Sequence, residues 1–137
     1  MPKPGEVLFY SNYVFDDGSA QDKLFVVLSS ADLECPCLVL KTTSRPERYA
    51  DASKGCNPKK NVFLVPASWG NCFRVDTYIQ LPQIIEIPTK ELLEGSFASA
   101  IKVISSLSSD CYAQLKSCLK YFRDDIAEQH WKLIFGS

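Results

Sequence analysis

Apolar positions come in short, dense runs through the first part of the chain. Leu24 to Leu28 and Cys37 to Leu40 are rich in β-branched or bulky residues and too short for a typical helix, so each predicts a buried strand. Between them Ser29 to Pro36 is polar and of hairpin length. Pro36 belongs where a strand starts, because proline cannot donate to a ladder from a central position. Lys23 to Arg45 is therefore expected to form the hairpin at the core of a sheet. Upstream, Glu6 to Phe9 alternates as a first strand that Tyr10 to Phe15 would prolong, and Asp16-Asp17-Gly18-Ser19 is turn chemistry. Downstream, the β pattern continues through Asn61 to Pro66, Cys72 to Val75, Thr77 to Leu81 and Ile84 to Ile87, with a turn over Ala67 to Asn71. No crossover helix falls between these strands. The pattern predicts a mainly β fold, a small curved antiparallel barrel with helices at its C-terminal end, and not an open α/β sheet.

Helical signals arrive late. Pro88-Thr89 can cap a short helix over Lys90 to Leu93, with Thr89 as the side-chain acceptor and Gly95 as the stop. Phe97 to Leu107 is ambiguous. Ser108 is a good N-cap, Asp110 sits where the helix dipole favours an anion, and Cys111, Tyr112, Leu115, Cys118, Leu119 and Phe122 then form one stripe, so an amphipathic helix is expected to close the fold.

Composition adds limits. With 137 residues, 46% apolar and 23% charged, the chain suits one globular domain over residues 1–137. A net charge of −1 supplies no global basic field, so any nucleic-acid site must be a local patch. No apolar run is long enough for a membrane span, and MPKPGEVLFY lacks a signal-peptide core, which together predict a cytoplasmic protein with no membrane partner. Six cysteines without an export signal are expected to be reduced thiols acting as small core hydrophobes. Cys35, Cys37, Cys56 and Cys72 lack paired C-x-x-C spacing, so no metal or other cofactor is assigned.

Candidate chemistry gathers at the ends of the central hairpin. Thr42-Thr43-Ser44-Arg45 places three hydroxyls and a guanidinium at a strand end, and Lys23 adds a cation at the other. The same residues also suit a plain strand-end turn and an edge charge. The loop Arg45 to Lys60 follows with no apolar period. Its Arg45, Arg48, Lys54, Lys59 and Lys60 outnumber Glu47 and Asp51, and Tyr49 among them is the kind of aromatic on which a single-stranded base can stack.

The order of these elements resembles the PemK/MazF-like toxin family over nearly the whole chain up to about Phe122. Pro4-Gly5-Glu6-Val7 is similar to the family's opening strand, and Gly18-Ser19-Ala20-Gln21 to its glycine-serine-glutamate-glutamine loop. Lys23-Leu24-Phe25-Val26-Val27-Leu28-Ser29 is similar to its arginine-proline-led strand, and Thr42-Thr43-Ser44 to its threonine-containing strand end. Asp76-Thr77 with the strand after it, and Leu107-Ser108 with the closing helix, complete the likeness. The resemblance implies an SH3-like barrel and a metal-independent endoribonuclease of a toxin–antitoxin pair. Lys23-Leu24 departs from the arginine-proline pair, and lysine neutralises phosphate without offering a bidentate fork.

On this reading Lys23, Thr43 and Arg45 are the catalytic candidates, with Gln21, Thr42, Ser44, Arg48 and Tyr49 as substrate-binding candidates. The expected partners are single-stranded RNA, a protein antitoxin and a second copy of the chain. The alternative is a non-catalytic barrel of the same descent that binds RNA or a protein. The only histidine, His130, lies far along the chain, so no general base is named.

Overall fold

A computed structural model of the protein describes residues 1–70 and 73–136. Seven strands, β1 (Glu6–Val14), β2 (Ala20–Ser29), β3 (Cys37–Thr43), β4 (Gly55–Asn57), β5 (Val62–Val65), β6 (Thr77–Ile87) and β7 (Ile101–Ser106), form one antiparallel sheet in the order β4-β5-β6-β3-β2-β1-β7. Helices α1 (Thr89–Phe97), α2 (Ser109–Leu119) and α3 (Glu128–Phe135) join it, with a 3-10 segment over Lys120–Asp125 between the last two. No described helix is long and apolar enough to cross a membrane.

The central strands are apolar without interruption because both faces of the sheet are covered. Successive side chains point to opposite faces. Val26 and Leu28 of β2, with Leu38 and Leu40 of β3, therefore meet Cys111, Leu115, Cys118, Leu119, Phe122 and Ile134 of the helical layer. Phe25, Val27 and Val39 point the other way, toward Leu92 of α1 and Ile101 of β7. A third, smaller cluster of Val62, Leu64 and Tyr78 lies under Tyr49 and Ala52. Ser108 caps α2 as the sequence predicts, its hydroxyl accepting the Cys111 backbone N–H at 3.1 Å. The expected stripe is buried, with Tyr112 half-buried, but α2 ends at Leu119 and Phe122 lies in the 3-10 segment that follows.

Several expectations change. The sheet is open, with β4 and β7 as its two edges. The stretches Thr77 to Leu81 and Ile84 to Ile87 are one strand that runs through the cis Leu81–Pro82 peptide. Of Cys72 to Val75, read as a strand, Cys72 lies outside the described residues, and Phe73 to Val75 are irregular. The unassigned stretch after Phe97 contains β7, paired to β1. Helix α1 continues past Gly95, and the Thr89 hydroxyl does not cap it but donates to the Asp32 carbonyl at 2.6 Å, tying the helix to the β2–β3 hairpin loop. Gly95 is set by packing: a Cβ there would lie 2.4 Å from Ile101 Cδ1.

The loop after Arg45 is also more structured than its composition suggests. It carries 3-10 turns at Pro46–Tyr49 and Pro58–Lys60 and the short strand β4, which pairs with β5. This brings Cys56 to α2, where it forms a disulfide with Cys118, 62 residues away. The expectation that all six thiols are reduced is thus corrected. Spacing along the chain gave no sign of the bond, because its partners meet only once an edge strand docks on a helix.

Candidate functional site

Antiparallel pairing brings the start of β2 and the end of β3 to the same end of the sheet. Phe25 pairs with Lys41, so Lys23 and Leu24 lie beside Thr42 and Thr43. The Thr42 hydroxyl donates to the Leu24 carbonyl at 2.9 Å and closes the two strands together. Thr42 is 4% exposed, and its hydroxyl proton is committed to the backbone. Thr43 differs: its Oγ1 accepts the Arg45 backbone N–H at 3.3 Å, which leaves the hydroxyl proton to point at a ligand.

Two cavities adjoin along this edge and share Gln21, Lys23, Thr43 and Arg45 as a common wall. The larger, of about 690 Å³, also takes in Thr42, Ser44, Phe73, Arg74, Val75 and Ile104. Its mixed lining suits a ligand with both a flat apolar part and polar groups. The smaller, of about 240 Å³, is bounded by Phe15, Lys41, Arg48 and Gln80. Its lining is the more cationic.

Five cationic side chains, Lys23, Lys41, Arg45, Arg48 and Arg74, line the pair of cavities against two carboxylates, Asp17 and Asp22. Among the described residues none of the five forms an ion pair. The carboxylates are engaged locally instead. Asp22 accepts the Asn12 backbone N–H at 3.0 Å, and Asp17 accepts the Ser19 hydroxyl and N–H, which hold its carboxyl below the usual range. A chain of net charge −1 therefore concentrates three surplus positive charges in one cleft. Burial pushes the Lys23 ammonium below the ordinary lysine value, and the neighbouring charges of Lys41, Arg48 and Arg45 push the same way. The ammoniums of Lys23 and Lys41 sit 5.7 and 6.0 Å from the centroid of the Phe15 ring, whose electron-rich face offsets part of this crowding.

Of the residues expected from sequence, Lys23, Thr43, Arg45, Gln21, Thr42, Ser44 and Arg48 all line these cavities. Tyr49 does not. Its ring stacks on Tyr78 and its hydroxyl accepts the Gln80 amide at 3.0 Å, so it anchors the basic segment. Sequence reasoning missed Lys41, Arg74, Phe73 and Ile104. Lys41 immediately precedes the threonine pair and was within reach of the same pattern. Arg74 and Ile104 sit on stretches far away in the chain and join only through the fold.

His130 is remote from this cleft in its bonding, its Nε2 lying 2.6 Å from Glu86 Oε2 in a tie between α3 and β6. Among the described residues no three His, Cys, Asp or Glu side chains converge as a metal site. At the shared wall, the depressed pKa of Lys23 makes its neutral form more accessible than that of an ordinary lysine. No protein-family profile and no curated protein matches the chain.

Proposed function

We propose that the cleft at the shared end of β2 and β3 binds the phosphodiester backbone of single-stranded RNA and cleaves it, in the manner of a PemK/MazF-like endoribonuclease toxin. The observation that carries this reading is the set of five cations that form no ion pair among the described residues, around one pair of cavities in a chain that is slightly acidic overall. Unpaired cations in a concave, partly desolvated site attract a polyanion more strongly than the same charges spread over a surface. The seven-stranded sheet is read as an opened form of the SH3-like barrel that the resemblance implies.

Cleavage would proceed by attack of a ribose 2′-oxygen on the adjacent phosphorus, which closes a 2′,3′-cyclic phosphate as the P–O5′ bond breaks. The leaving 5′-oxygen takes up a proton from water or from the newly protonated Lys23. Neutral Lys23 suits removal of the hydroxyl proton, the Arg45 guanidinium suits the growing charge on the phosphate oxygens, and Thr43 donates its hydroxyl to one of them. A flat base fits beside Phe73 and Ile104 in the larger cavity, with phosphate in the smaller. On this reading the protein acts in the cytoplasm beside a protein antitoxin.

A second reading has one specific observation behind it. Lysine at position 23 is a point charge without a planar fork, and a cleft that binds RNA without cutting it would need nothing more. Incubating the purified chain with long single-stranded RNA at low salt, with a chelator present, decides between the two. Fragments ending in cyclic phosphate support the enzyme. Binding without fragments supports the second reading and makes Lys23→Arg the variant to try for rescue. A chain that neither binds nor cuts RNA overturns both.

A further inference from the structure

We infer that the Cys56–Cys118 disulfide is a redox latch on this cleft: closed, it fixes the segment that carries Arg45 and Arg48, and opened by a low-molecular-weight thiol, it releases that segment and weakens binding of the RNA backbone. The inference rests on the cleft reading above and adds its regulation.

The segment from Ser44 to Asn61 joins β3 to β5 and buries little of itself, Gly55 being its only buried residue. It is nevertheless bonded internally. The Asn57 side chain accepts the Ser53 N–H at 2.9 Å and donates to the Ser53 and Gly55 carbonyls. Lys60 reaches the Ala50 carbonyl at 3.3 Å, and the Ala52 N–H bonds to the Tyr49 carbonyl at 3.1 Å. A restraint applied at Cys56 is therefore passed back to Tyr49 and the turn that bears Arg48.

The segment's other anchors are local. β4 is a three-residue edge strand with β5 as its single strand neighbour. Tyr49 and Ala52 pack on Val62, Leu64 and Tyr78, the Tyr49 hydroxyl accepts the Gln80 amide, and the Asn61 carbonyl accepts the Leu81 N–H. Beyond these, the disulfide ties the segment to Cys118, a residue 1% exposed within the helical core, so its far end is a rigid post. The sulfur pair is also reachable. A cavity of about 380 Å³, walled by Gln114, Ser117 and Tyr121, opens beside both cysteines, and Cys56 is half-buried. A thiolate entering there attacks Cys56 Sγ. The S–S bond breaks, its electron pair goes to Cys118 Sγ, and that sulfur takes up a proton. A second thiol then displaces Cys56 from the mixed disulfide, so two thiols leave as one disulfide and two cysteines are left reduced.

The test uses Cys56→Ser, which removes this bond and leaves the other cysteines in place, alongside the wild-type chain before and after treatment with glutathione. Amide hydrogen exchange and binding to a single-stranded RNA oligonucleotide at low salt are read together. Opening the bond is expected to speed exchange across residues 45–57 while β2 and β6 stay protected. The RNA dissociation constant is expected to rise about tenfold, the order of cost for immobilising two long side chains again on binding. Unchanged exchange across that segment overturns the latch, as does lost protection across the whole sheet, which would make the bond a general staple. Unchanged affinity with faster exchange also overturns it. RNA ignored by both the oxidised and the opened chain overturns the function proposed for the cleft, and the exchange comparison still separates that failure from failure of the latch.

Discussion

The ring of Tyr49 stacks on the ring of Tyr78 with centroids 5.4 Å apart and planes inclined by 19°. The pair fastens the turn bearing Arg48 to β6, and the Gln80 amide secures the Tyr49 hydroxyl at 3.0 Å. Tyr49→Ala should therefore cost stability, about 0.5–1.5 kcal/mol from the aromatic pair beyond the area it buries. Chemical denaturation measures this. A variant as stable as wild type would mean that the ring is available to a ligand after all.

The Lys23 ammonium, held below the ordinary lysine value of 10.5 by burial and by Lys41, Arg48 and Arg45, sets a pH dependence. A bound phosphate favours the ammonium. Where Lys23 is neutral in the free protein, binding must take up a proton, so RNA affinity should be level at lower pH and fall as pH rises through the depressed pKa. Lys23→Arg should keep its affinity to higher pH. Stability has the opposite sense, since the unfolded chain holds more protons in the window between the depressed value and 10.5, and unfolding should become harder as pH rises there. Identical pH profiles for wild type and Lys23→Arg would remove Lys23 from the site.

The adjacent threonines should respond differently to the same change. Thr42→Val leaves the Leu24 carbonyl without its donor in a nearly closed setting and should destabilise by about 1–3 kcal/mol. Thr43→Val should stay within about 0.5 kcal/mol of wild type in stability and lower RNA cleavage more than RNA binding. Equal effects on stability from the two variants would contradict the division of labour between their hydroxyls.

The contrast between these threonines marks how far the sequence could be read. The hairpin, its polar ends and the capping of α2 by Ser108 follow from local patterns, and each is present. Seven of the eight expected site residues line the cleft because a single antiparallel turn suffices to bring Lys23 to Thr43. Arg74 and Ile104 enter from distant stretches, and no local pattern could have placed them. The open sheet was hidden for a similar reason: short strands with turn residues between them serve a closed barrel and an open sheet alike. The Tyr49–Tyr78 stack was hidden too, because a basic loop with an aromatic in it looks the same whether the ring faces solvent or Tyr78.

Gly95 has the look of a helix stop but lies inside α1, packed on Ile101. Alanine at that position gains about 0.8–1.0 kcal/mol of helix propensity. Its methyl would meet Ile101 Cγ1 at 2.6 Å and Cβ at 3.2 Å, close to a strand backbone that cannot retreat easily. Overpacking of this kind costs about 1–3 kcal/mol, so Gly95→Ala should be destabilising on balance in a thermal melt. A raised melting temperature would show that β7 yields.

Burial of both faces of β2 and β3 leaves the hairpin without the usual safeguard against slippage. If one strand slid past the other by a single residue, each apolar side chain would exchange one oily layer for the other, and solvent would impose no penalty. Alignment is then left to the hairpin loop, which Thr89 holds at Asp32, and to the places where the apolar runs stop, at Lys23 and at the threonines beyond Lys41. The residues that form the cleft are thus also the stops that hold the hairpin in step. Replacing them with apolar residues would blunt the site and, in the same stroke, let misaligned chains accumulate during folding.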